Sequence, residues 1–214
     1  MNYRKEHMNN IACYFGSFNP IHDYHVAIAN HLIEHENMDS VQIILSPQSP
    51  FKSELASFED RYAMCNIAVS DYDRITVNDV EKDMPLPSFS IDTMNKLEKS
   101  YPFPHNSLYF VMGIDNWVKI HEWKNFKDLL VFPILVIPRN MNTPGAVDYL
   151  YDSTISYLRE RHCYIHPKTR LIHGMPLNNI SASYIRDEIR NKKNIAPYIN
   201  PEVNNFIQQH NLYK

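Results

Sequence analysis

Gly16-Ser17-Phe18-Asn19-Pro20-Ile21-His22-Asp23-Tyr24-His25 is the stretch on which the reading of this chain turns. It follows an apolar run, Ile11-Ala12-Cys13-Tyr14-Phe15, and precedes Val26, Ala29, Leu32 and Ile33. The run reads as a buried strand, and the spacing of the later four as a helix with one apolar face. A glycine closes the strand. Pro20 then stands at the predicted first helical position, with Asn19 as its cap, and two histidines follow three residues apart. In outline this is a phosphate cradle. Backbone amides at a helix start point toward an anion, and His22 and His25 on one face can both donate to it. Only four of the 214 residues are glycine, against about 7% in average usage. Each is therefore expected where the backbone needs positive φ or a ligand comes close.

Strand-like and helix-like segments alternate outward from that stretch. Val41–Leu45, Arg74–Val80, Leu108–Met112, Phe132–Ile137 and Arg170–Ile172 read as strands. Phe58–Val69, Ser90–Glu98, Leu150–Arg161, Ser181–Arg190 and Pro201–His210 read as helices. Nearly continuous apolar strands separated by helices predict a parallel sheet covered on both faces. The expected architecture is a single doubly wound, Rossmann-like α/β domain over 11–214, with terminal helices. A short polar tail, 1–10, precedes it and is expected to be loosely ordered. Ligands of such sheets sit at the carboxyl ends of the strands, near the switch in strand order.

Composition narrows the partners. A net charge of −3 and a pI near 6.4 argue against broad nucleic-acid binding. No apolar run is long enough to span a membrane, and the first ten residues lack the apolar core of a secretory signal. Cys13, Cys65 and Cys163 are odd in number and far apart, which fits free thiols in a reducing cytoplasm. A homo-oligomer stays open.

Polar residues of useful kinds follow several predicted strands. Ile180-Ser181-Ala182-Ser183-Tyr184-Ile185-Arg186 places serines at a helix start and an arginine one turn in, a second arrangement suited to phosphate. Gly113-Ile114-Asp115 follows a strand, with a carboxylate able to accept from ribose hydroxyls. Lys52 in a proline-bounded loop can reach a phosphate, and Trp123 can stack on a flat ring. Taken singly, each of these is more often a surface charge, a capped helix or a core aromatic. Trp117 reads as packing.

Taken in order, they resemble the nucleotidyltransferase superfamily with a Gly-x-Phe-(Asp/Asn)-Pro-x-His-x-x-His segment. More narrowly, the chain is similar to nicotinate or nicotinamide mononucleotide adenylyltransferases, from Ile11 to Tyr213. Arg61, Ser88-Phe89-Ser90-Ile91-Asp92-Thr93 and Asn211-Leu212-Tyr213 also belong to the pattern. The resemblance implies adenylyl transfer from ATP to a pyridine mononucleotide, with pyrophosphate released and a dinucleotide formed. It implies His22, His25 and Arg186 as the catalytic groups. Gly16, Ser17, Phe18, Gly113, Asp115, Ile180, Ser181 and Ser183 would join them in holding ATP. Phe18, Asn19, Lys52, Asp92, Thr93 and Trp123 would hold the mononucleotide. Mg²⁺ would ride on the phosphates without protein ligands. The segment 88–93 leans toward the nicotinate acceptor, with the nicotinamide form also open. Three departures from the pattern are Tyr24 for a frequent glycine, Ala182 for a serine and Phe89 for a tyrosine. Rival readings are a pantetheine-phosphate adenylyltransferase, a cytidylyltransferase and a nucleotide-sensing module without turnover.

Overall fold

The computed structural model describes residues 8–48, 55–139, 141, 143–175 and 180–214. Six strands form one sheet: β1 Asn9–Gly16, β2 Ser40–Leu45, β3 Ile75–Asn78, β4 Asn106–Gly113, β5 Ile134–Ile137 and β6 Arg170–Leu171. Their order is β3-β2-β1-β4-β5-β6, and every pairing is parallel. The doubly wound expectation is met, with its switch in direction between β1 and β4. Strand β1 starts at Asn9, so the last two residues of the expected tail belong to the sheet. Met8 precedes the strand, and residues 1–7 of that tail lie outside the described residues.

The sheet separates two apolar layers, which is why its strands read as unbroken apolar runs. Side chains alternate across a strand. Ala12, Tyr14, Tyr109 and Val111 enter one core, while Ile11, Cys13, Leu108, Phe110 and Met112 enter the other. The first layer is closed by α1 Asp23–His35, α2 Phe58–Val69, α7 Ala182–Arg190 and α8 Pro201–Gln209. Opposite lie α3 Ser90–Ser100, α4 Ile114–Trp117, α5 Phe126–Leu129 and α6 Ala146–Glu160. Burying each Ile, Leu or Val of these layers contributes about 1.5–3 kcal/mol. Trp117 is fully buried and stacks on Tyr151 at 5.6 Å, as packing predicted. The short helices α4 and α5, with a 3₁₀ turn at Ile120–Glu122, are too brief for periodicity to reveal.

The start of α1 differs from expectation. Pro20 is not its first residue and Asn19 is not its cap; the helix begins at Asp23 with His22 as N-cap. The reason is tertiary. Asn19 is 1% exposed, and its side-chain oxygen accepts from the Ala56 amide at 3.1 Å and the Tyr213 hydroxyl at 2.8 Å. A side chain committed to two distant donors cannot cap its own helix.

The buried Arg61 of α2 ties the neighbouring loops together. Its guanidinium donates to four carbonyls, those of Ser17, Ser46, Pro47 and Ala56, at 2.8–3.0 Å. The exits of β1 and β2 and the entry to α2 thereby share one anchor. Cys13 and Cys65 are buried, Cys163 is partly so, and all three are free thiols.

Candidate active site

The carboxyl ends of β1, β4 and β5 lie level, because Tyr14 pairs with Val111 and Gly113 with Ile137. Over them opens a cavity of about 360 Å³. Its floor comes from β1 and the following loop, Gly16-Ser17-Phe18, and one wall from His22, Tyr24 and His25 of α1. Gly113, Asp115, Pro138 and Arg139 form another wall, and Ser181, Ala182 and Ser183 at the start of α7 close it. Segments predicted separately from sequence thus meet at the switch point.

Gly16 is required by a close approach. A Cβ there would stand 2.8 Å from the Phe18 ring, which folds back over it. That fold puts Phe18 at φ 41°, a sparsely populated conformation for a bulky residue. Gly113 has an ordinary backbone, φ −74°, and a Cβ would meet only Arg139 Nε at 3.9 Å. Of the two reasons expected for a glycine, positive φ does not apply here; Gly113 instead lines the cavity.

The two histidines stack with centroids 3.6 Å apart. The Phe18 ring meets His25 edge-on at 5.0 Å, which fixes the pair from the side. The His22 backbone N–H donates to His25 Nδ1 at 3.3 Å. This bond places the proton of the neutral His25 ring on Nε2. His22 is 3% exposed, and its Nδ1 has no partner among the described residues. Burial, helped by the Arg139 charge, pushes its pKa down to about 4, so the ring is neutral at pH 7. Two rings this close cannot both carry a proton cheaply unless an anion joins them.

Among the described residues one positive charge, that of Arg139, shares the cavity with the pair. Arg139 Nε holds Asp115 Oδ2 at 2.9 Å, so the carboxylate of this cavity is already balanced. Arg186, predicted to act on phosphate, is not among the residues lining the cavity; it donates from Nη1 to the Asn19 carbonyl at 2.8 Å and from Nη2 to Oγ of Ser183, which does line it, at 3.3 Å. Its Nε is buried without a partner among the described residues. Ser181 caps α7 as predicted, accepting from the Tyr184 amide at 3.1 Å. Ile180 precedes that cap and packs on the first core. With Ser181 as the cap, Ala182 needs no hydroxyl for that role. Tyr24 is buried and its ring joins the core, so the missing glycine there costs the cavity one wall of space.

Of the residues assigned to the acceptor, Phe18 lines this cavity and Asn19 adjoins it, whereas Asp92, Thr93 and Trp123 are not among its lining residues. Thr93 is fully buried, and its hydroxyl donates to Glu81 Oε1 at 2.7 Å. Ser88 Oγ donates to the other oxygen of the same buried carboxylate at 2.9 Å. Asp92 pairs with Lys124 at 3.3 Å, and that ammonium lies 4.1 Å over the Phe89 ring. Trp123 is half-buried and meets Phe110 edge-on at 6.2 Å. Lys52 lies outside the described residues. Arg139 and Glu81 were missed by sequence reasoning, since a Pro-Arg pair and an acidic loop carry no local signal. The one available hint was their place after a strand.

The fold and this phosphate-suited site define a nucleotidyltransferase-type domain. The model of the cytidylyltransferase-like family matches residues 13–188. A "probable nicotinate-nucleotide adenylyltransferase" of Flavobacterium psychrophilum is 35% identical over 207 residues, covering 95% of this chain and 98% of the relative. One of the same name from Bacteroides thetaiotaomicron is 32% identical over 198 residues, covering 91% and 89%. The chain belongs to the cytidylyltransferase-like family, on its nicotinate-nucleotide adenylyltransferase branch. Among solved structures, Plasmodium falciparum nicotinic acid mononucleotide adenylyltransferase complexed with NaAD has the same fold. Its TM-score is 0.77 at 22% identity, covering 96% of this chain and 97% of that one. No helix among the described residues is long and apolar enough to cross a membrane.

Proposed function

We propose that this protein transfers the adenylyl group of ATP to nicotinate mononucleotide, a step of NAD biosynthesis, and releases pyrophosphate. The observation that carries the reading is the stacked histidine pair in one cavity with Arg139 and the capped start of α7, at the sheet's switch point. A phosphate oxygen of the mononucleotide attacks the α-phosphorus of ATP. The bond from that phosphorus to the α,β-bridging oxygen breaks, and its electron pair leaves on pyrophosphate. The nucleophile is already ionised, so the chain need supply no strong base. Its contribution is alignment and stabilisation of spreading negative charge.

His25 Nε2–H and His22 would donate to the phosphates. Arg186, with its vacant Nε–H, would take charge developing on the leaving group. Gly113 and Asp115 would face the adenosine, with Arg139 holding the carboxylate. Magnesium enters as part of the substrate, Mg·ATP. Among the described residues no cluster of three or more His, Cys, Asp or Glu can hold an ion.

For the acceptor, Thr93 has committed its only proton to Glu81. A nicotinate carboxylate would therefore be met by backbone N–H groups at the start of α3, where Phe89 supplies no side-chain cap. Phe18, Asn19, Lys52, Asp92 and Trp123 would frame the rest of the mononucleotide. Three free thiols suit a cytoplasmic enzyme. Pyrophosphate release with each mononucleotide tests the reading. Nicotinate mononucleotide is expected to give at least about tenfold higher kcat/KM, the scale of one charge-recognising contact. Equal or better use of the amide would overturn the acceptor. ATP binding without turnover on either would favour the sensor instead.

A further inference from the structure

Asn19 joins three distant parts of the chain at the edge of the cavity. Its side-chain oxygen accepts from Ala56, ahead of α2, and from Tyr213, after α8. Its backbone carbonyl accepts from Arg186 of α7. The group that orients the arginine is thus itself oriented from the far end of the chain.

The backbone at both ends of the Tyr213–Asn19 bond is held in an uncommon shape. Phe18, next to Asn19, has φ 41°, and Tyr213 has φ 65°. Bulky residues adopt such angles only where their surroundings hold them there. After α8 the chain turns through Asn211, also at positive φ, and lays Leu212 and Tyr213 against the first core. The turn aims the hydroxyl at Asn19. Burial raises the Tyr213 pKa above the ordinary tyrosine range despite nearby Arg61 and Arg186, so the group remains a donor.

We propose that Tyr213 is a positioning residue for adenylyl transfer, acting through Asn19 to fix the carbonyl that holds Arg186 against the phosphate cavity. The inference rests on the function proposed above and extends it to a residue that touches neither substrate. The alternative is that Tyr213 only packs the chain end onto the core. The two differ in what the hydroxyl does, because the ring alone satisfies packing.

Tyr213→Phe keeps the ring and deletes the donor. Pyrophosphate release is measured from Mg·ATP and nicotinate mononucleotide, with thermal unfolding of the same samples. Arg186 is assigned to charge that develops as pyrophosphate leaves, so the loss should fall on kcat. A decrease of about tenfold is expected, well short of the 10²-fold that a 1 Å misplacement can cause. KM for ATP should stay within about twofold, and Tm within a few degrees. In an Arg186→Lys background the Nη1 bond to the Asn19 carbonyl is already lost. There Tyr213→Phe should change kcat by less than about twofold. An active wild type whose kcat is unmoved by Tyr213→Phe overturns this inference alone. So does a loss that multiplies fully with Arg186→Lys. An inactive wild type overturns the function and this inference with it.

Discussion

His22→Gln removes one ring whose titration is coupled to folding. In the unfolded chain a histidine titrates near 6.5; in this fold burial and Arg139 hold His22 near 4. Above pH 6.5 the ring is neutral in both states and its contribution is intact. As pH falls from 6.5 to 4 the unfolded chain takes up a proton that the folded ring refuses. Stability is therefore lost across that window and levels off below it. At 1.36 kcal/mol per pH unit the window amounts to about 3 kcal/mol. In a chain of this size that is about 6–12 °C in Tm. Urea unfolding followed by the fluorescence of Trp117 and Trp123, at steps from pH 7 to pH 4, measures it. Wild type is expected to lose about 3 kcal/mol more than His22→Gln over that range. Parallel pH profiles would refute the reasoning and mean that water reaches the ring. The same linkage makes ATP a proton-uptake ligand. Calorimetry at pH 5.5 in two buffers of different ionisation enthalpy should show protons entering with the nucleotide.

Two further substitutions test the scaffold. Arg61→Met keeps volume but strands four partly buried carbonyl acceptors, and should cost about 3–5 kcal/mol in urea unfolding. A cost below 1 kcal/mol would deny it the anchoring role. Thr93→Val removes the donor to buried Glu81 and should destabilise by about 1–3 kcal/mol. A change in acceptor KM with unaltered stability would return the hydroxyl to the substrate.

The fold was largely legible because its signals are local. Phe58–Val69 carries its own cap in Ser57 and its own apolar face, and α2 has those bounds. The parallel sheet covered on both faces followed from its nearly continuous apolar strands, although the strand order itself did not. The cradle of Gly16–His25 was legible for the same reason, as was the Ser181 cap. What escaped depended on distance. The Pro20 rule is local, but Asn19 answers to Ala56 and Tyr213, 37 and 194 residues away. Glu81 looks like one more charge in an acidic loop, and only folding brings it to Thr93 and Ser88. Arg139 has no neighbour in sequence that explains it. Its partner Asp115 lies one strand over.

The central claim is that the stacked histidines at the switch point act on phosphate during adenylyl transfer. Single-turnover and steady-state pyrophosphate release by wild type and His25→Ala, with Mg·ATP and nicotinate mononucleotide, test it most directly. The account expects an active wild type and a fall in kcat of about 10²-fold or more, as when one transition-state donor is lost. A His25→Ala enzyme with wild-type kcat and only a raised KM would contradict it.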